Sequence, residues 1–345
     1  MDLDNILTKA LKEPVNEDEA LYILYEVNDW EKLLKLFSIA GKIRDREIGR
    51  VYKLEAFIGP ITKCTTDPPC RYCSRAIANT FQNTIDLREL KIAAKIVKEK
   101  GFRRIEIGGG TIWSGAGDLV VKAVETIKQV HPDAILRLNF GPSLSRSDLL
   151  KLKKLGVKEI GSNFETMNRE VFYKMKPGDN LDRRIELAKE IDSLGIGLST
   201  TILVGIGSSY EDYVKHLFWL KREIKNLSRI SFPVLRPHPG GPLKDYPCGS
   251  LFDALKLGAL SRIIFRNIDI GFGGIANDPR LLYLRIMAGG NREVHISFMV
   301  TKKPWPRTRF SPSEIRVEQI GNLYVYDAVK YVTRVVRELG FEISM

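Results

Sequence analysis

Three of the chain's four cysteines, Cys64, Cys70 and Cys73, crowd into the segment KCTTDPPCRYCSRAIAN between Lys63 and Asn79. Three thiolates on one loop can hold three irons of a [4Fe-4S] cluster, and the absent fourth ligand leaves one iron open to a small molecule. A structural zinc site is closed by four Cys or His ligands. Here Cys248 lies far off, and His131, His216, His238 and His295 are all distant from the triad in sequence. A disulfide scaffold belongs to small secreted domains, whereas a chain of 345 residues buries a large core unaided. Buried, unliganded thiols do not suit Thr65, Thr66, Asp67, Pro68 and Pro69, which read as a polar loop.

The triad resembles the radical S-adenosylmethionine (SAM) superfamily, whose usual spacing is CxxxCxxC. The spacing here is C-x5-C-x2-C, with Tyr72 as the aromatic the family places before the third cysteine. That longer spacing is similar to the maturases serving the iron-guanylylpyridinol cofactor of [Fe]-hydrogenase. The helical pattern of Glu17 to Gly49 looks like the N-terminal helices of the biotin synthase-like branch. NFET (Asn163 to Thr166), Arg183-Arg184 followed by Gly195, LVGIG (203–207) and RPHPGGPL (236–243) then recur in that branch's order.

The resemblance implies reductive cleavage of SAM to methionine and a 5'-deoxyadenosyl radical that abstracts hydrogen from a small-molecule substrate. It also implies an external one-electron donor of the ferredoxin or flavodoxin type. It assigns Gly108, Gly109 and Gly110 to the methionine ammonium group, although Thr111 stands where an acid usually ends that motif. It gives Asn163 and Glu165 to the ribose, Arg184 to the SAM carboxylate and Leu203 to adenine, with Tyr72 beside the cluster. Biotin synthases carry further cysteines for a second cluster, and only Cys248 remains for that here. The resemblance in cysteine spacing implies pyridinol cofactor synthesis as the pathway. The alternatives are another small-molecule radical SAM maturase, of the [FeFe]-hydrogenase or pyrrolysine type, or a zinc-stabilised binding protein.

The residues speak for themselves at several of these positions. Asn163 and Glu165 are two apart at a strand end and project to one side, with helix capping as the competing use of Glu165. Either Arg183 or Arg184 offers a fork for a carboxylate. Arg236 and His238 leave a strand between Pro237 and Pro239 and are candidates for the substrate site. Trp113 and Trp305 read as packing residues.

The elements that must position these groups alternate. Strands are expected at Leu54–Ile58, Arg104–Ile107, Ile135–Phe140, Glu159–Asn163, Gly197–Val204, Ile230–Leu235, Ile268–Gly273 and Glu293–Phe298. Helices are expected between them, among them Leu87–Glu99, Leu119–Val130, Leu181–Leu194, Tyr210–Ile224, Phe252–Arg266 and Pro279–Ala288. This alternation predicts a (β/α)8 TIM barrel over residues 51–300, with the cysteine loop at the C-terminal end of the first strand, where barrels place their chemistry. Residues 1–50 form an N-terminal helical extension, and residues 301–345 an extension packed on the barrel that ends in a helix near Val325–Leu339. Lys and Arg (54) exceed Asp and Glu (42), but they are scattered, which argues against nucleic-acid binding. No apolar run suits a membrane span, and the reading places the chain in the cytoplasm.

Overall fold

The computed structural model describes residues 1–78, 82–273, 281–303 and 314–345. It opens with α1 (Leu3–Ala10), α2 (Glu17–Glu26) and α3 (Trp30–Glu47), started by the side-chain caps Asp2, Asn16 and Asp29. All three lie within the expected helical extension, and α2 and α3 fall in the Glu17 to Gly49 segment that carries the helical pattern.

The barrel strands and helices then alternate: β1 (Val51–Gly59), a short α4 (Arg75–Ala78) in the cysteine loop, α5 (Leu87–Glu99), β2 (Arg104–Gly108), α6 (Gly117–Val130), β3 (Ile135–Asn139) and α7 (Arg146–Lys154). They continue as β4 (Glu159–Gly161), α8 (Arg169–Met175), α9 (Leu181–Ser193), β5 (Gly197–Thr201), α10 (Tyr210–Glu223), β6 (Leu227–Ser231) and α11 (Leu251–Phe265). β7 (Asp269–Gly271), α12 (Leu282–Met287) and β8 (Arg292–Thr301) complete the series. β1 to β7 pair in parallel with their sequence neighbours, and β8 pairs with β1. The seam between β7 and β8 is closed without a ladder. Asn291 N–H donates to Ile270 O (3.1 Å), and the Asn291 Oδ1 accepts from Ile270 N–H (2.9 Å). The molecule is a (β/α)8 barrel.

The helices outside obey local rules. α5 begins where it was expected because Asp86 and Glu89 form a capping box around its first turn. Lys256 on α11, itself buried, donates to Leu24 O (2.8 Å) and Val27 O (3.2 Å), tying α2 to the barrel. The tail does more than pack. β10 (Leu323–Asp327) lies antiparallel between β8 and β9 (Arg316–Ile320), α13 (Val329–Glu338) follows, and β11 (Glu342–Ser344) adds in parallel to β1. The final helix thus starts later than expected, because Val325 belongs to a strand. Residues 279 and 280 of the expected seventh barrel helix, and Trp305, lie outside the described residues.

The barrel's floor is ionic rather than apolar. Arg292 on β8 reaches Glu159 on β4 (2.6 Å) and Asp269 on β7 (3.1 Å), and also pairs with Glu55 on β1. Arg137 on β3 meets Glu106 on β2 and Glu159 (2.9 Å), while Arg229 on β6 reaches Glu55 at 3.4 Å. Contacts between such distant strands can only cross the lumen. Burial alone would raise the Glu55 carboxyl, but Arg292 and Arg229 hold it at about 2.

Candidate active site

The cysteine loop leaves β1 and runs along the segment after β2 almost as an extra strand. Ile61 N–H donates to Gly108 O (2.8 Å), Gly110 N–H to Thr62 O (3.0 Å) and Thr65 N–H to Thr111 O (2.7 Å). A Cβ on Gly110 would sit 2.2 Å from the Cys64 Cβ, and one on Gly109 2.2 Å from the Thr62 Oγ1. The room these glycines free is therefore filled by the loop itself. Their N–H groups are already used, Gly109 on Asn139 O and Gly110 on Thr62 O, and of their carbonyls Gly108 O accepts from Ile61 N–H and Gly110 O from the Thr62 hydroxyl (2.7 Å). On the other side Arg71 N–H donates to Met175 O (2.9 Å), which fastens the loop to the end of α8.

Cys64, Cys70 and Cys73 are all half-buried. Burial pushes the Cys70 thiol up to about 11, against the pull of Lys176 and Arg184, and raises Cys73 as well. The Arg75 guanidinium lies 3.8 Å from the Cys64 Sγ and braces the loop through the Thr66 hydroxyl (3.0 Å). Three thiols with cations beside them fit a negatively charged cluster. Among the described residues, no three His, Cys, Asp or Glu side chains converge on one ion position. A [4Fe-4S] cluster seats each thiolate on its own iron.

Across the mouth, Asn163 donates to the Asn139 Oδ1 (3.2 Å) and leaves its own buried Oδ1 without a partner among the described residues. Glu165 accepts from the Thr201 hydroxyl (2.8 Å) and holds φ at +67°. That left-handed backbone costs a non-glycine residue roughly 1–3 kcal/mol and clusters at functional sites. Helix capping does not account for Glu165, because Asn168 caps α8. Tyr72 and Leu203 share one apolar cluster with Met175, Ile206, Leu235 and Leu243.

Arg184 is buried under Asn163, whereas Arg183 is half-buried and pairs with Glu186 (2.9 Å). The Arg184 fork is occupied. Its Nε and Nη2 donate to Asp179 (2.9 and 2.6 Å), and its Nη1 donates to Asn163 O (3.0 Å). Lys176 also pairs with Asp179 at 3.0 Å. Although burial favours the neutral acid, Arg184 and Lys176 hold the Asp179 carboxyl at about 2. Two cations on one anion leave a net positive charge next to Cys70.

The family model described as the radical SAM superfamily matches residues 58–220. An uncharacterized Methanocaldococcus jannaschii protein is 34% identical over 261 residues, covering 74% of this chain and 68% of that one. Biotin synthase from Carboxydothermus hydrogenoformans is 25% identical over 298 residues, covering 84% and 89%. The chain belongs to the radical SAM superfamily. It falls in the biotin synthase-like branch, and it is an enzyme that works with a [4Fe-4S] cluster and SAM. The crystal structure of methylornithine synthase superposes with a TM-score of 0.78 over 99% of this chain and 97% of that one, at 21% identity, and shares the fold.

One expectation for this radical SAM enzyme needs correcting, that for Trp113. Arg236 and His238 are exposed on the loop after β6. The Val204–Val234 bridge and the bond from Gly249 N–H to Leu235 O (2.9 Å) fasten that loop, whose Leu235 and Leu243 join the apolar cluster. Trp113 is 38% exposed, on the wall of a groove of about 670 Å³ outside the mouth that Arg183 also lines, so it is not a packing residue. The interior polar groups, Glu106, Arg137, Asn139, Ser199, Arg229 and His295, escaped the sequence reading. Their signal was present: in RIEIG and ILRLN polar residues alternate with apolar ones, and a barrel strand's polar face can only be its inner one. Among the described residues no helix is long and apolar enough to cross a membrane.

Proposed function

We propose that this radical SAM enzyme acts on a small molecule in the synthesis of the guanylylpyridinol cofactor of [Fe]-hydrogenase. The observation that carries the reading is the C-x5-C-x2-C loop, with its three half-buried thiols at the mouth of the barrel. Cys64, Cys70 and Cys73 hold three irons. When bound, the cluster supplies the electron that converts SAM to methionine and a 5'-deoxyadenosyl radical able to remove a substrate hydrogen.

The chain's own residues orient and enclose. Tyr72 and Leu203 offer an apolar face for adenine, and Asn163 with Glu165 offers acceptors for the ribose hydroxyls. Arg184, aimed by Asp179 and with Lys176 beside it, supplies positive charge for the methionine carboxylate. The segment Gly108 to Gly110 would receive its ammonium through carbonyl lone pairs, since Gly108 O and Gly110 O each accept one bond from the loop and keep one lone pair. Exposed Lys63 at the cysteine loop suits an acidic one-electron donor of the ferredoxin or flavodoxin type. The residues 1–50, 51–300 and 301–345 divide as helical extension, barrel and strand-adding tail.

Anaerobic reconstitution tests the ligand set. Cys64→Ala, Cys70→Ala and Cys73→Ala should each lose iron, and exposed Cys248→Ala should keep it. Equal loss in Cys248→Ala would overturn the open-iron arrangement. For the pathway, deuterium from a labelled pyridinol precursor should appear in 5'-deoxyadenosine. If it does not, while a basic amino acid donates its label, the methylornithine type of reaction replaces this one.

A further inference from the structure

Among the described residues, three that are not glycine hold a positive φ: Glu165 (+67°), Arg266 (+62°) and His295 (+63°). Arg266 has a structural reason, since it ends α11 and its guanidinium holds Ala10 O (2.9 Å) and Leu11 O (3.0 Å). Glu165 stands at the mouth among the SAM candidates. His295 lies in mid-strand on β8, where neither reason applies.

The strand is bulged to place it there. Leu54 on β1 pairs with Glu293 and Ala56 with Phe298, so β8 advances five residues while β1 advances two. A bulge of this kind re-aims a side chain at the cost of ladder bonds. The imidazole packs edge-on against Phe57 (4.3 Å between centroids) and faces Glu106, Arg137, Arg229 and Glu55 across the lumen. Burial, with Arg137 and Arg229, pushes it down to about 3, so it is uncharged. Its buried Nε2 has no hydrogen-bond partner among the described residues, and the nearest carboxylate oxygen, the Glu106 Oε1, is 3.9 Å away. Yet 32% of the side chain meets open space, which this deep in the barrel is lumen. A strained backbone presenting an unpaired ring to the lumen costs stability and gains nothing within the fold.

We propose that His295 is a substrate-contacting residue that accepts a hydrogen bond from a hydroxyl or N–H group of the substrate. The Glu106 carboxylate, though 3.9 Å away and not hydrogen-bonded, is the nearest anion to Nε2, so the proposal assigns the proton to Nε2 and the acceptor role to Nδ1. The same carboxylate takes the Asn139 amide (3.3 Å), so Asn163, Asn139, Glu106 and His295 form a polar ladder running from the mouth down to this subsite. The inference rests on the radical SAM reading and names the face of the substrate that points away from SAM.

The chain has only four histidines, so ¹⁵N-histidine spectra of the cluster-loaded enzyme can be read residue by residue, with His295→Gln assigning the signal. The probes are 2-hydroxypyridine, which donates, and acetate, which only accepts. The expected spectrum shows His295 as the Nε2–H tautomer, with an Nδ1 resonance that moves on adding 2-hydroxypyridine and stays put with acetate. Calorimetry should find 2-hydroxypyridine binding weakened about tenfold by His295→Leu and partly restored in His295→Gln, which keeps an acceptor. An Nδ1–H tautomer, or a signal that ignores 2-hydroxypyridine, overturns the proposal, as does His295→Leu binding the probe like wild type. If wild type also forms no 5'-deoxyadenosine from SAM, the enzyme reading fails instead, whatever the spectra show.

Discussion

Replacing Asp179 by asparagine keeps the shape of the side chain and removes the one anion that Arg184 and Lys176 share. The three side chains are 0%, 7% and 3% exposed, so solvent screens little of the loss. Holding the carboxyl at about 2 against an ordinary 3.8 corresponds to roughly 2.5 kcal/mol of stability. Because the folded value lies below the unfolded one, that contribution is present above pH 4 and disappears as the pH falls through 2. Breaking a buried pair costs about 3–5 kcal/mol, and the amide oxygen still accepts one bond, so Asp179→Asn should destabilise by about 3 kcal/mol. Without its anchor the Arg184 guanidinium can turn from the site, and SAM affinity should fall at least tenfold while iron content holds. Anaerobic urea unfolding and calorimetric SAM titration read the two effects separately. Stability within about 0.5 kcal/mol of wild type, with unchanged SAM binding, would refute the triad of Lys176, Asp179 and Arg184 as the element that aims this arginine.

Glu165→Gly should raise the unfolding midpoint by relieving the strained backbone, yet abolish measurable SAM binding; a destabilised variant that still bound SAM would reverse that assignment. Buried His216 has no partner for either ring nitrogen among the described residues, and burial pushes it down to about 3 from 6.5. His295, also held at about 3, adds the same linkage, so folding should lose roughly 2.7 kcal/mol per pH unit below 6.5, and His216→Leu should remove about half of that slope in urea titrations at each pH.

The barrel was legible because its strands and helices alternate at the expected lengths, and α5 even at the expected ends, where Asp86 and Glu89 mark the start. The cysteine loop was legible because chemistry demands three thiols close in sequence. The choice between Arg183 and Arg184 was also readable, in the stripe of Leu181, Arg184, Leu187, Ala188 and Ile191 that forms the buried face of α9. Asp179 was not, since nothing in a PGDN turn says that it will meet an arginine one helical turn later. β11 pairs with β1 far away in sequence and carries no local signature of doing so, whereas β9 and β10 are joined by Gly321-Asn322, a two-residue hairpin turn that could have been read. The ionic floor becomes legible only once the barrel is assigned, because charged strand residues look solvent-facing until the sheet closes around them.

The most direct test is to give the reconstituted enzyme SAM and a strong one-electron reductant, without any substrate, and to separate the products. The account predicts methionine and 5'-deoxyadenosine in equal amounts, slowly formed, and none from Cys70→Ala. Methylthioadenosine, or a methylated product in place of 5'-deoxyadenosine, would mean that SAM donates a different group and would contradict hydrogen abstraction in this barrel.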